Sequence, residues 1–217
     1  MLDVPNGDRI AVRRAATRLE ILDAAWAVAR SKGLVELTLR DVAERVGMRA
    51  PSLYGHFASK HAIYDAMFEQ AWSDYEATIP DLEDGLPSHP RAAVRAIAAH
   101  FYDFTAADLA RHQLMNQNVV AGFSPSPAAY APSVRVLDRA HRTIVSLTGA
   151  TPEDFEVWVA LVGGLINQHH ANDAGGSRHR MLLDRGVDMW ADAVGLPPDG
   201  RQQVRPHVSS APRRTRP

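Results

Sequence analysis

The chain has 217 residues and a formal net charge of −1; 46% of its residues are hydrophobic and 23% charged. Those proportions suit a globular protein that buries its own core, and the absence of cysteine excludes disulfides, thiolate catalysis and cysteine-bound zinc. No apolar run reaches the roughly 18 residues of a membrane span, and residues 1–9 carry no hydrophobic signal core, so a cytoplasmic protein with no membrane partner is expected.

Residues 1–13 are mixed and polar and are expected to be disordered. Helical spacing then begins: Leu19, Leu22, Ala25, Trp26 and Ala29 recur at intervals of three and four, with Gly33 as the stop. Thr38 can cap a second helix over 38–46, with Asp41 as its partner three residues on and Val42, Ala43 and Val46 facing inward. After Gly47 a third short helix runs over 50–57, with Pro51 in its first turn, where a missing N–H costs little. Ser59 caps a fourth helix whose inner face is Ile63, Met67, Ala71, Trp72 and Tyr75, and Pro80 is expected to end it. Residues 80–90 read as an acidic, Pro/Gly-punctuated connection and a domain boundary.

Beyond it, residues 90–109 present Val94, Ile97, Phe101 and Phe104 on one helical face, and a shorter helix follows over 111–120. Three prolines between 122 and 132 argue against regular helix there; amphipathic spacing resumes over 133–148. Thr151-Pro152-Glu153-Asp154 is a strong helix start: a cap, proline at the first position, and acids at the positive end of the dipole. Phe155–Ala171 is almost uncharged after Glu156, and a last helix over 178–194 carries Leu183, Val187, Trp190 and Val194. No strand is expected. The fold class is all-α, divided into residues 1–13 (disordered), 14–79 (helix-turn-helix domain with its linking fourth helix), 80–198 (helical ligand and dimer domain) and 199–217 (disordered, Arg/Pro-rich tail).

The charge divides along the same line. Residues 1–60 carry 10 basic and 7 acidic side chains, residues 61–200 carry 9 and 18, and the last 17 residues hold five arginines and no acid. A basic head on an acidic body suggests an anionic partner for the head alone. Two short helices joined by a glycine turn can set the second into a DNA major groove. The exposed positions of that second helix, Ala50, Ser52, Gly55 and His56, are small or polar, and Arg49 precedes it. Small side chains allow close approach to base edges, while hydroxyl and imidazole groups can bond bases or phosphate.

The stretch from Thr38 to Lys60, with Tyr54, His56 and Phe57 near its end, resembles the DNA-binding domain of the tetracycline-repressor (TetR) family, and the helix around Ile21 and Gly33 fits it. The resemblance covers residues 16–63 in sequence and is only architectural beyond residue 80. It implies a homodimer on a palindromic double-stranded DNA operator, most simply as a repressor, controlled by a small-molecule ligand of unknown identity and using no cofactor. It further implies that Thr38, Tyr54, His56 and Lys60 touch phosphate, that Arg40 grips a base, and that Ala50 and Ser52 face bases, with Arg49 adding charge. Gly55 stands where the tetracycline repressor has a bulky aromatic.

Pocket candidates are Phe101, Phe104, Met115, Phe123 and Trp158, with His100 and Asn116 for polar contacts. The apolar stripes of the last two helices, Trp158, Val162, Leu165, Ile166 and His169 with Leu183, Val187 and Trp190, are expected to form a four-helix dimer bundle. No metal site is expected: His169 and His170 point about 100° apart on a helix, and no HExxH motif exists. An all-helical enzyme or interaction module is the competing reading, but no nucleophile elbow or phosphate-binding glycine loop supports catalysis.

Overall fold

The computed structural model describes residues 6–199, which are all-helical: α1 (Asn6–Lys32), α2 (Leu39–Val46), α3 (Ala50–Leu53), α4 (Lys60–Asp84), α5 (Pro90–Ala106), α6 (Leu109–Asn116), α7 (Pro127–Thr148), α8 (Pro152–Asn172) and α9 (Arg178–Ala193). The Arg-rich tail lies outside the described residues, apart from its first, Asp199. The caps follow local chemistry. Thr38, Ser59 and Thr151 each accept a backbone N–H three residues on, and Asp154 returns the bond to Thr151 as a full capping box.

Three local expectations need correction. Helix α1 starts at Asn6 rather than after residue 13, because Arg9, Ala11, Arg13, Arg14, Ala15 and Ala16 are strong helix formers with no proline among them. Pro80 does not end α4, which continues to Asp84. There, Glu76 and Glu83 on either side of the proline are clasped by Arg135 and Arg139 of α7, which offsets the one lost backbone bond. The proline-rich segment is likewise helical from Pro127: Ser126 caps it, Pro127 takes the first position, and Pro132 sits inside the helix.

Two apolar clusters fill the molecule. The first joins α1–α4 through Ile21, Leu34, Leu37, Leu53 and Ile63, all fully buried, and extends to Ala110 and Leu114 of α6 and Ala129 and Val136 of α7. The head core is therefore not confined to residues 14–79; α4 runs through it into the body. The second cluster packs α5 against α8 and α9 through Val94, Ile97, Ala98, Ile166, Leu183 and Val187. The start of α5 is locked to α9 and its following turn by two buried arginines. Arg91 binds the carboxylate of Asp192 at 2.6 Å and the carbonyl of Pro197 at 3.0 Å, and Arg95 pairs with Asp188 and Asp199.

Candidate functional site

Helices α2 and α3 stand on the surface of the head. Gly47 closes α2 in the left-handed conformation (φ 75°), and Met48 N–H returns to the Ala43 carbonyl at 2.8 Å. This sharp stop turns the chain into α3. Leu53 and Phe57 anchor that helix to the core at 0% and 2% exposure. Regular helix ends at Leu53, earlier than the expected 57; residues 54–56 are a tight turn, with the N–H groups of His56 and Phe57 both returning to the Leu53 carbonyl.

The outward face of this pair holds Thr38, Arg40, Arg49, Ser52 and Tyr54, all exposed. Ala50, His56 and Lys60 are half-buried. Thr38 also donates its hydroxyl to Asp41 at 2.7 Å, and Asp41 in turn holds Lys32 at 2.6 Å. Those two bonds hold the Asp41 carboxyl below its usual range. Lys60 reaches the Val35 carbonyl at 3.0 Å, so its ammonium braces the loop between α1 and α2. Two residues absent from the sequence reading orient the pair. Arg14 donates to the Gly55 carbonyl at 2.9 Å, and Arg18 donates to the His56 carbonyl while its guanidinium lies 4.1 Å from the centre of the Phe57 ring. Their i, i+4 spacing, which puts both on one face of α1, was the available signal.

A second feature lies in the body, between α4, α5, α7 and α8: a cavity of about 220 Å³. Its inner wall is aromatic, with Phe68, Trp72 and Tyr75 from α4, Phe101 from α5, and Phe155 and Trp158 from α8. Tyr130 and Leu137 of α7, Asn116 at the end of α6 and Val159 of α8 are partly exposed and mark its mouth. Gly163 completes the wall: a Cβ there would meet nothing within 4 Å. Four of the seven pocket candidates, Phe101, Met115, Asn116 and Trp158, line this cavity. The other three are engaged elsewhere: His100 Nε2 lies 2.7 Å from Thr78 Oγ1, Phe104 packs between Tyr75 and Arg111, and Phe123 packs on His61 and Tyr64.

The expected dimer residues are also placed differently. Trp158, Val162, Ile166, His169, Leu183, Val187 and Trp190 are buried within the single chain, against α5 or the cavity, and only Leu165 is half-exposed. An apolar stripe records burial without recording whether the neighbour is the same chain. The outward side of α8 and α9 carries a second apolar set, with Val157 at 60% and Met189 at 64% exposure, together with Ala160, Gly164 and Leu182. Leu161 and Leu165 lie across Gly186 of α9, where a Cβ would come within 3.3 Å of Leu161.

A histidine cluster joins α6 to α8. His112 Nε2 lies 2.7 Å from Asn167 Oδ1, and the His112 ring stacks on His170 at 4.9 Å between centroids. Burial holds both imidazoles below the ordinary histidine value.

Residues 21–67 match the family model described as bacterial regulatory proteins, tetR family. A stretch of 60 residues is 40% identical to the HTH-type transcriptional repressor KstR2 of Mycobacterium tuberculosis, covering 28% of this chain and 30% of that protein. The chain thus aligns with under a third of that relative's length. Over the whole fold, the chain is similar to a tetR-family transcriptional regulator from Streptomyces coelicolor (18% identity, 82% and 79% of the two chains, TM-score 0.61). It is also similar to the regulator FadR from Bacillus subtilis, solved in complex with stearoyl-CoA (12% identity, 80% and 97%, TM-score 0.62). At those identities the likeness is one of fold. The head is thus matched in sequence to the TetR family of bacterial regulatory proteins over residues 21–67, and the helical body is matched to a regulator of that family in architecture.

Proposed function

We propose that the protein is a cytoplasmic transcriptional repressor that binds a palindromic DNA site as a homodimer and is controlled by a small molecule held in the body cavity. The observation that carries this reading is the α2–α3 pair: a helix-turn-helix held rigidly by Arg14, Arg18 and the buried anchors Leu53 and Phe57, with Arg40, Arg49, Ser52 and Tyr54 left outward. In this arrangement α3 enters the major groove while α2 crosses the backbone. Arg40 and Ser52 read base edges, Ala50 gives close approach, and Thr38, Arg49, Tyr54, His56 and Lys60 grip phosphate. Lys60 releases the Val35 carbonyl to do so.

One head reads only a few base pairs, so two copies related by a twofold axis are needed for specificity. The outward face of α8 and α9 around Gly164 and Met189 supports that assembly. A large apolar patch on a monomer is costly to leave in water, and glycine allows close approach of a facing helix. The aromatic cavity supports ligand control, and the related FadR was solved holding stearoyl-CoA.

The test is fluorescence anisotropy of labelled DNA from the region upstream of the gene. Arg40→Ala and Tyr54→Phe are expected to weaken binding by about 1–3 kcal/mol for the base-reading arginine and less for the hydroxyl. The wild-type affinity is expected to fall steeply with added salt. Unchanged affinity in both variants together with a flat salt response would remove the reading.

A further inference from the structure

The chemistry of the cavity wall restricts what it can hold. Among the described residues, no charged side chain lines it. The two cations closest in sequence on α7, Arg135 and Arg139, are each committed to a carboxylate of α4, Glu76 and Glu83. An anion entering this space would give up its hydration without finding a counter-charge, which is strongly unfavourable.

The hydrogen-bonding capacity of the wall is unbalanced. Trp72 and Trp158 are each 5% exposed and line the cavity, yet their indole N–H groups have no acceptor among the described residues. An indole can only donate, and a buried donor without an acceptor carries a desolvation cost. Ser133 spends its hydroxyl proton on the Tyr130 carbonyl at 2.6 Å, so no hydroxyl of that side chain is left to donate. The two indoles are thus buried donors in want of an acceptor.

The shape is flat. Trp72 stacks on Phe101 at 23° between planes, and Phe155 on Trp158 at 17°, each pair 6.0 Å apart. The cavity, at about 220 Å³, exceeds the roughly 150 Å³ of an apolar cavity that accepts benzene, so one substituted ring or two fused rings fill it.

We propose that the cavity binds an uncharged, one- or two-ring molecule with carbonyl-type acceptor oxygens that take the free N–H groups of Trp72 and Trp158. This rests on the reading of the cavity as the effector site and names the class of effector. Anionic acids are disfavoured by the same wall.

The test uses isothermal calorimetry on the full chain at neutral pH with four probes: α-tetralone, naphthalene, α-naphthoate and decanoate. Tetralone and naphthalene share a shape and differ in the acceptor. Tetralone is expected to bind about tenfold tighter than naphthalene, as one to two buried hydrogen bonds would give. Naphthoate and decanoate are expected to bind more weakly than tetralone. Trp158→Phe and Trp72→Phe each reduce the preference for the ketone and leave naphthalene binding intact, so that naphthalene reports an undamaged cavity. Gly163→Leu fills the space and removes binding of all four. Tighter binding of naphthoate or decanoate, an unchanged ketone preference in both tryptophan variants, or no binding of any probe would overturn the proposal.

The upstream DNA is titrated alongside with each probe. Tetralone bound with no effect on DNA affinity supports the ligand class and removes ligand control. Intact DNA binding with no tetralone binding overturns the class and keeps the regulator.

Discussion

Gly163 and Gly164 are neighbours on α8 that face different surroundings, and substituting them separately tests the proposed dimer face. Gly163 lines the cavity and Gly164 is exposed on the outward side; an added Cβ at either meets nothing within 4 Å of the same chain. Alanine at either position therefore costs no contact within the monomer and gains helix propensity, about 1 kcal/mol, worth roughly 2–4 °C in melting temperature for a chain of this size. Leucine separates them. At Gly164 it must be accommodated between two copies, and overpacking costs about 1–3 kcal/mol per site. A twofold interface counts each substitution twice, so about 2–6 kcal/mol is lost and the dimer dissociation constant rises roughly 30-fold to 10⁴-fold. At Gly163 leucine projects into the cavity and leaves the dimer intact. Analytical ultracentrifugation across a concentration series measures both constants. A Gly164→Leu chain that sediments as a dimer with an unchanged constant would refute the assignment of this face, and a Gly163→Leu chain that dissociates equally would show that the effect is not local.

Two further outcomes follow from the interior. Burial holds His112 and His170 below the ordinary histidine value of about 6.5 in the folded chain, so the unfolded chain takes up protons first on acidification; stability is fully present above about pH 6.5 and is lost as pH falls below it. Urea unfolding between pH 7.5 and 5.5 is expected to show that decline, and His112→Gln to reduce its slope; identical slopes would exclude His112 as a source. Asp65 of α4 accepts both the backbone N–H (2.6 Å) and the hydroxyl (2.7 Å) of Ser126, the cap of α7. Asp65→Ala is expected to destabilise the chain by about 2–4 kcal/mol, as loss of two hydrogen bonds to a charged group would, read from the shift of the urea midpoint; a shift under about 0.5 kcal/mol, the range of an ordinary surface change, would mean the joint carries little energy.

What could be read from the residues was what depends on near neighbours in sequence. The caps at Thr38, Ser59 and Thr151 and the turn at Gly47 are settled within four residues, and the structure has them where spacing put them. The prolines misled because their cost is also local, whereas the offset comes from a distant helix: α4 passes Pro80 with Arg135 and Arg139 holding the turns around it. The stripe of α8 was correctly read as buried and wrongly assigned to a second copy. The deciding information lies in α5, where small residues such as Ala93 and Ala98, both fully buried, allow close packing of that layer. Trp72 and Tyr75 were assigned to the inner face of α4 without any sign that Phe155 and Trp158, some eighty residues later, would leave a gap opposite them.

That gap determines how a ligand could reach the head. Several contacts cross from body to head, among them Ala110 and Leu114 packed on the head core and Phe123 packed on Tyr64. Arg30 of α1 pairs with Asp108 at the start of α6 at 2.8 Å, but the arginine is half-exposed, and an ion pair of that kind contributes little and is screened by salt. Another is α4. Its Ile63, Tyr64 and Met67 are core of the head, and the Tyr64 hydroxyl donates to the Leu34 carbonyl just before α2. One turn later Phe68 forms cavity wall, and Trp72, eight residues and about 12 Å beyond Tyr64, carries one of the free indole N–H groups. An α-helix packed on both sides transmits displacement rather than absorbing it, because a close-packed interior has few intermediate arrangements. A molecule that draws Trp72 toward an acceptor therefore acts on the helix that positions α2 and α3, and Asp65 makes α7 move with it. The differential affinity of a ligand for different positions of α4 would set the limit on how far DNA binding can be shifted.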